Sequence, residues 1–458
     1  MIKKKNNLLV LIFLLLTWIS FWLSINTKPY EINFFNTNIA SIINTLRISV
    51  PLLLTILTIP LIIFFILKRK VFLESKFIIN PIFLFLIYFI LQGIGLYFNK
   101  KLNFFDINNS YLIILSIGSL HVFFFLKIFN LNKNLNFFLY CSIFIITVAF
   151  LIFIYSMFKN RSSYELLYLY YYIDLDQKLF DQVFPRITGL ARLMAVINLT
   201  ILASFLFLKK NKSFKRIEFF FIVILSTLIW SSQSRGAILC FYTCSLILNI
   251  FYKEYNFKKK LLTVIFIIIF PIFIFESYKV YKVNNFVKII SSNQSGNDGE
   301  KVKEFYRLNE NRIYRSKEQG SSGRINLWNE IIEKYDKKNI FGYGPQADRF
   351  LISKKLGQQY GNNVSNGFLY AFACGGYFAL IIYVIINLKI LTFIYKSIFY
   401  KKIFQIKNLF AEKLATIYLT FFGIRNLFEN SYALFSIDFL LTLISFVIMK
   451  NYLEKKTI

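Results

Sequence analysis

The sequence predicts an all-α, polytopic membrane protein of about twelve transmembrane helices, with one large polar segment held outside the membrane. Three observations carry this. Apolar residues run unbroken for about a membrane thickness, as in "LLVLIFLLLTWISFWLSI" (8–25), "VPLLLTILTIPLIIFFIL" (50–67) and "FFLYCSIFIITVAFLIFIYSMF" (137–158). The short connections between such runs alternate between strongly basic and weakly charged. Only one stretch, about 278–366, is both long and polar. Of the 458 residues, 57% are hydrophobic and 19% aromatic, and mean hydropathy is +0.55. A soluble domain is ~45–50% apolar, broken at helical or strand spacing. A lipid-spanning helix needs ~20 apolar residues in a row, and lipid leaves the backbone few alternatives to it.

In order, the apolar segments fall at about 8–25, 48–67, 77–98, 111–130, 137–158, 189–208, 217–231, 236–252, 261–277, 367–395, 411–427 and 431–449. The first follows "MIKKKNN", a basic head like that of a signal peptide. Its run is long and no small-residue cleavage site follows, so it reads as a retained helix. Arg47 and two prolines interrupt the second, and Arg425 and Asn426 crowd the end of the eleventh. With a cytoplasmic N-terminus, the inner connections are "KRKVFLESK", the stretch around Lys127 and Lys133, "KKNKSFKR", "KEYNFKKK", "KSIFYKKIFQIK" and the tail "KNYLEKK". All are basic, while outer turns such as "SSQSRG" and "RNLFENS" carry little charge. Both termini are therefore expected on the cytoplasmic side. The same loops account for the formal charge of +31, from 54 Lys and Arg against 23 Asp and Glu. No nucleic-acid-binding pattern interleaves that charge, which excludes nucleic acid as a partner. The four cysteines, Cys141, Cys240, Cys244 and Cys374, all lie in apolar segments and read as buried small residues.

This divides the chain into a bundle of nine helices over 1–277, a large outer segment over 278–366, and the C-terminal membrane helices over 367–458. A first outer loop, about 159–188, contains the tyrosine-rich run "SYELLYLYYYI", a belt of interface residues or a surface for stacking on sugars. The large outer segment changes character midway. In "GRINLWNEIIEKYDKKNIFGYGPQ", Ile325, Trp328, Ile331, Ile332 and Tyr335 recur at helical spacing with Glu and Lys opposite, which predicts an amphipathic helix over about 324–338. Asn339 and "FGYGP" then end it, because glycine tolerates the left-handed backbone and proline bars continuation.

Three arginines stand at the outer ends of segments. Arg186 opens the sixth span in "PRITGLARLMAV", Arg235 opens the eighth in "SSQSRGA", and Arg324 opens the outer helix. Arginine near a lipid boundary is costly unless paired or hydrated, and its planar fork suits phosphate. The competing reading for each is snorkelling, or an ion pair to an acid such as Glu165 or Asp181. Arg192, inside the sixth span, needs a partner within the bundle.

Four stretches resemble the O-antigen ligase and O-antigen polymerase group of bacterial envelope glycosyltransferases. "SSQSRGA" is similar to that family's serine–arginine–glycine turn, and "GRINLWNEIIEKYDKKNIFGYGP" to its arginine–tryptophan helix ending in a Gly-x-Gly turn. "PRITGL" resembles its arginine–glycine helix entry, and "SNGFLYAFACGGYFAL" its segment after the large outer loop. The resemblance covers roughly 185–395. It implies a GT-C-like fold in the bacterial inner membrane and an active site on the periplasmic face. It also implies metal-independent transfer of a glycan from an undecaprenyl-diphosphate-linked oligosaccharide, with no cofactor. Arg186, Arg235 and Arg324 would then stabilise the departing pyrophosphate, and Arg192, Trp328, Tyr343 and Asn366 would line the substrate groove. Partners would be the lipid-linked oligosaccharide, the surrounding membrane lipids and a chain-length regulator.

The ligases of this group carry a histidine followed by Asn, Ser or Gln, then nine residues and a glycine. Aligning Asn366 and Gly376 to that spacing puts Ser365 in the histidine's place. Serine does not act as a general base at neutral pH. His121, the chain's one histidine, lies mid-span and reads as a packing residue. The expectation therefore moves toward the polymerase, with ligation to a lipid A core as the alternative. Asp174, Asp176, Asp181 and Glu429 remain as candidate bases. A flippase of the same lipid-linked sugars also suits twelve spans, but such folds show internal repeats and short loops on both sides. No repeat is visible here.

Overall fold

A computed structural model describes residue 53, residues 81–98, 139–151 apart from 145 and 149, 188–208, 211–231, 234–252, 256–277, 324–352 apart from 337 and 346, 364–406, 409–430, 432 and 437–455. Every apolar stretch among these is helical and none forms a strand. In chain order the helices are α1 (Pro81–Phe98), α2 (Thr188–Phe207), α3 (Lys212–Ser231), α4 (Arg235–Phe251), α5 (Phe257–Ser277), α6 (Arg324–Lys334), α7 (Asp348–Leu351), α8 (Gly367–Tyr395), α9 (Phe410–Arg425) and α10 (Ile437–Lys455). Two are long and apolar enough to cross a membrane: α5, and α8 together with its terminal π turn, Gly367–Tyr400. This is fewer than the twelve spans expected, and the segments at about 8–25 and 111–130 lie outside the described residues, as does all but Leu53 of 48–67.

The contacts divide the chain into two compact units. One holds residues 26–40 and 144–322. Within it α2, α3 and α4 pack side by side, joined by short turns, so that α2 and α4 run in the same direction. Two polar residues inside these apolar helices bond across helix contacts. Asn198 of α2 donates to the Ile222 carbonyl at 3.1 Å and to Ser226 Oγ at 2.9 Å on α3. Ser204 donates to Glu218 at 2.7 Å. Without such partners each polar group would cost the full penalty of desolvation. In α5 the turn Ile265–Ile269 is π-helical, directly before Pro271. Proline cannot donate to the ladder and crowds the carbonyl four residues back, so the helix widens there.

The other unit holds residues 1–25, 41–143 and 323–458. Helices α1 and α8 pack along one another, and α9 and α10 form a second pair against them. The ring of Phe85 meets Tyr432 and Phe439 edge-on at 5.4 and 5.2 Å between centroids. The crowded end of α9 has a structural cause. Arg425 forms a buried ion pair with Asp438 of α10, and Asn426 accepts from the Tyr383 hydroxyl of α8 while donating to Asn387 at 3.2 Å. Tyr432 also donates to Asn387, at 3.3 Å. The residues that interrupt the eleventh apolar segment thus tie three helices together at one end. Cys240, Cys244 and Cys374 are buried, as expected of small apolar residues, while Cys141 is half-buried.

The described residues before α8, within 324–352 and 364–366, dock on the N-terminal part of that helix. Ile331, Tyr335, Tyr343, Ala347, Val364, Tyr370 and Ala373 form one core, with Trp328 and Phe372 packed against it. Helix α6 is a turn shorter than the expected 324–338, because Tyr335 already belongs to the packed turn. Its hydroxyl donates to the Asn339 carbonyl at 2.6 Å, and the Asp336 N–H donates to the Tyr343 hydroxyl at 3.0 Å. The buried stripe is also narrower than the sequence suggests. Ile331 and Tyr335 are buried, while Ile325 and Ile332 are half exposed.

Candidate functional site: a latched outer segment beside an Arg–Glu pair

Helix α8 breaks at Gly376, whose φ of 66° is left-handed. A break in a helix orphans backbone groups, and these must find partners elsewhere. The "FGYGP" turn supplies them. The N–H of Tyr343 donates to the Ala373 carbonyl at 3.0 Å, and that of Gly344 to Cys374 at 2.8 Å. In return, Tyr377 donates to the Ile340 carbonyl at 3.1 Å. Gly342 takes φ of 76° within this turn, and a side chain on either Gly342 or Gly376 would run into the other's backbone. The Gly-x-Gly turn and the Gly–Gly pair of "FACGGYF" are two halves of one latch.

Just before α8, residues 364–366 are held from both sides. Asp348, buried at the start of α7, accepts from the Val364 N–H at 3.0 Å. The Trp328 indole N–H donates to the Val364 carbonyl at 2.9 Å. Asn366 caps α8, accepting from the N–H groups of Phe368 and Leu369 at 2.9 and 3.1 Å. Its amide reaches the Leu427 carbonyl at 3.4 Å, and the Gly367 N–H donates to Asn426 at 3.1 Å. Between these anchors sits Ser365 with φ of 50°. A non-glycine residue in that region costs of order 1–3 kcal/mol and persists only where its surroundings over-determine it. Ser365, which the spacing sets where the ligases it resembles carry histidine, has a strained backbone.

Arg324 is the first residue of α6, one turn before Trp328. Its guanidinium stands 3.5 Å from Glu429 in the turn after α9, and both side chains are about a quarter exposed, at 27% and 26%. A solvent-accessible pair at that distance contributes only ~0–1 kcal/mol to stability. The geometry leaves a cation and a carboxylate together at an accessible edge, and the turn that carries Glu429 also holds Asn366. Among the described residues, no three His, Cys, Asp or Glu side chains converge as a metal site.

In the other unit, Arg192 lies in the first turns of α2 and Arg235 is the first residue of α4. Because the two helices are parallel and in contact, both arginines belong to the same end of that unit. Each is half-buried and has interaction partners. Ser234 precedes Arg235 as the N-cap, though its side chain makes no capping bond. Arg186, Asp174, Asp176, Asp181 and His121 lie outside the described residues. Sequence reasoning missed Asp348, the break at Gly376 and the Arg425–Asp438 pair. The doubled glycine inside an apolar run was the available signal for the break, whereas nothing local marks Asp348 as the partner of Val364.

The described residues define an all-helical class: two helices long and apolar enough to cross a membrane, and a polar segment latched over the break in one of them, with an Arg–Glu pair at its edge. Residues 219–384 match the family model described as O-Antigen ligase. That match supports the O-antigen ligase and polymerase family to which the sequence pointed, whose members are glycosyltransferase-type enzymes. It runs from within α3 into α8, taking in Arg235, Arg324, Trp328, Tyr343, Asn366 and the whole latch. Arg192 and Glu429 fall outside it. No curated protein and no solved structure matches the chain significantly.

Proposed function

We propose that the protein is a polymerase of surface polysaccharide, moving a glycan from one undecaprenyl-diphosphate-linked unit to another on the periplasmic face of the inner membrane. Twelve spans and cytoplasmic termini belong to this reading. The leaving group is a lipid pyrophosphate, which gains charge as the sugar–phosphate bond breaks. Fixed guanidinium groups of Arg186, Arg235 and Arg324 stabilise that charge in the transition state, so no cofactor is needed. In this reading Trp328 and Asn366 flank the groove, Tyr343 holds its wall from the buried core, and Arg192 serves at the end of its own unit. The observation that carries the reading is Arg324: it begins the outer helix at an accessible edge, weakly paired with Glu429 and within the matched stretch. Ser365 in the histidine's place favours polymerisation over ligation to a lipid A core. The description of the matching family as O-antigen ligase favours ligation, so an assay must separate the two readings.

That assay is complementation of a strain lacking the protein, read as a glycan ladder on a gel at matched membrane levels. The wild type should restore long chains, and Arg235→Ala or Arg324→Ala should leave single repeat units on the lipid A core. Polymer stranded on its carrier lipid would point to ligation. Long chains from both variants would overturn the pyrophosphate assignment.

A further inference from the structure

Glycosyl transfer to a hydroxyl requires a group that takes the hydroxyl's proton, and Ser365 cannot serve. We infer that Glu429 is this proton acceptor, released from Arg324 when the donor's pyrophosphate draws the guanidinium away. This rests on the transfer reading above.

The carboxylates around the latch narrow the choice. Asp348 is buried and committed to the Val364 N–H. Asp438 is buried against Arg425. Glu330 pairs with Lys334 at 2.6 Å, and Asp336 accepts from the Lys338 N–H at 3.0 Å. Glu429 combines partial exposure with a long, exchangeable contact of 3.5 Å. Its place is also fixed: its N–H donates to the Arg425 carbonyl at 2.9 Å. The same turn holds Asn366 and Gly367 through the carbonyls of Leu427 and Asn426, so the carboxylate is anchored to the strained Ser365 segment. Arg324 faces it from α6. Arg425, one turn back, is neutralised by Asp438 of α10, and the Tyr432 hydroxyl is committed to Asn387.

A pyrophosphate offers Arg324 more charge and a bidentate geometry than one distant carboxylate oxygen does. Donor binding would therefore exchange the guanidinium from Glu429 to phosphate and leave the carboxylate beside the acceptor. In the step itself, the acceptor oxygen bonds to the anomeric carbon as the bond from that carbon to the phosphate oxygen breaks. The electron pair leaves with the pyrophosphate, and the hydroxyl proton passes to a Glu429 carboxylate oxygen.

The test uses the full chain in lipid, with undecaprenyl-diphosphate-linked repeat units as donor and acceptor. Initial rates and binding of undecaprenyl diphosphate are measured separately. A positioned general base contributes ~10²–10⁴-fold. Glu429→Gln should lose on the order of 10²-fold or more in rate while still binding undecaprenyl diphosphate. Glu429→Asp should recover part of the rate, and Arg324→Gln should lose binding. A role only in holding Arg324 would give Glu429→Gln and Arg324→Gln the same binding defect, which overturns the assignment. A Glu429→Gln rate close to wild type overturns it while the transfer reading stands. No product from the wild type overturns both.

Discussion

At the scale of single residues, the site is a set of weak contacts held on strong ones. The Arg324–Glu429 pair contributes little to stability, which suits groups that must exchange partners. Its neighbours do the holding. Trp328 fixes Val364 through one hydrogen bond, so Trp328→Phe keeps the ring packing and removes about 1 kcal/mol. We expect the variant to stay folded but to lose activity, with faster proteolysis before α8 as the direct readout. Arg425 behaves differently because its partner is fully buried. Arg425→Leu leaves the Asp438 carboxylate without its counter-ion and should cost about 3–5 kcal/mol, whereas the double variant Arg425→Leu, Asp438→Leu should be far milder. Thermal unfolding in detergent compares the two. The sequence made Arg324 and Trp328 legible, because arginine at a helix start and an apolar helical stripe have local signatures, while Asn366 was named only through the family resemblance. It did not reveal Asp348 or the Arg425–Asp438 pair, whose partners lie at distances no periodicity reports.

At the scale of elements, the break in α8 is the organising feature. Some helix bounds were legible closely: α2 spans Thr188–Phe207 where apolarity gave 189–208, and α8 begins at Gly367 as expected, whereas α10 spans Ile437–Lys455 where 431–449 was expected. The break was not, because composition across "FACGGYF" stays apolar on both sides. A methyl group on Gly376 would overlap the Ile340 backbone and force a side chain into left-handed φ. Gly376→Ala should therefore release the outer segment, seen as protease cleavage between α6 and α7, while α8 itself stays helical. The latch also has a pH dependence. Burial first, then the neighbouring Tyr343 and Tyr377, raise the Tyr335 phenol above its ordinary value. The folded segment thus holds that proton more tightly than the unfolded one. The stabilisation is complete below about pH 10 and is lost as pH rises through the folded value. Proteolysis of the outer segment should accelerate above about pH 10, and Tyr335→Phe should flatten that rise after losing about 1 kcal/mol at neutral pH.

At the scale of the whole molecule, the all-helical class was legible from apolar run length alone, since lipid admits few other structures. The spacing of basic connections gave the expected direction of each span, and α5 and α8 have the length and apolarity the pattern requires. The arginines were legible only as positions along the chain. Arg235 and Arg192 share one end of their unit, and Arg324 lies at an edge of the other, where the outer segment meets the start of α8. The proposed role of these guanidinium groups, transfer of a glycan between lipid pyrophosphates, is tested most directly by incubating the purified full chain with undecaprenyl-diphosphate-linked repeat units alone and following chain length on a gel. The wild type should give a ladder of carrier-linked polymer, and Arg235→Ala and Arg324→Ala carrier-linked single units. Single units from the wild type, with glycan transferred only when a lipid A core is added, would contradict that role.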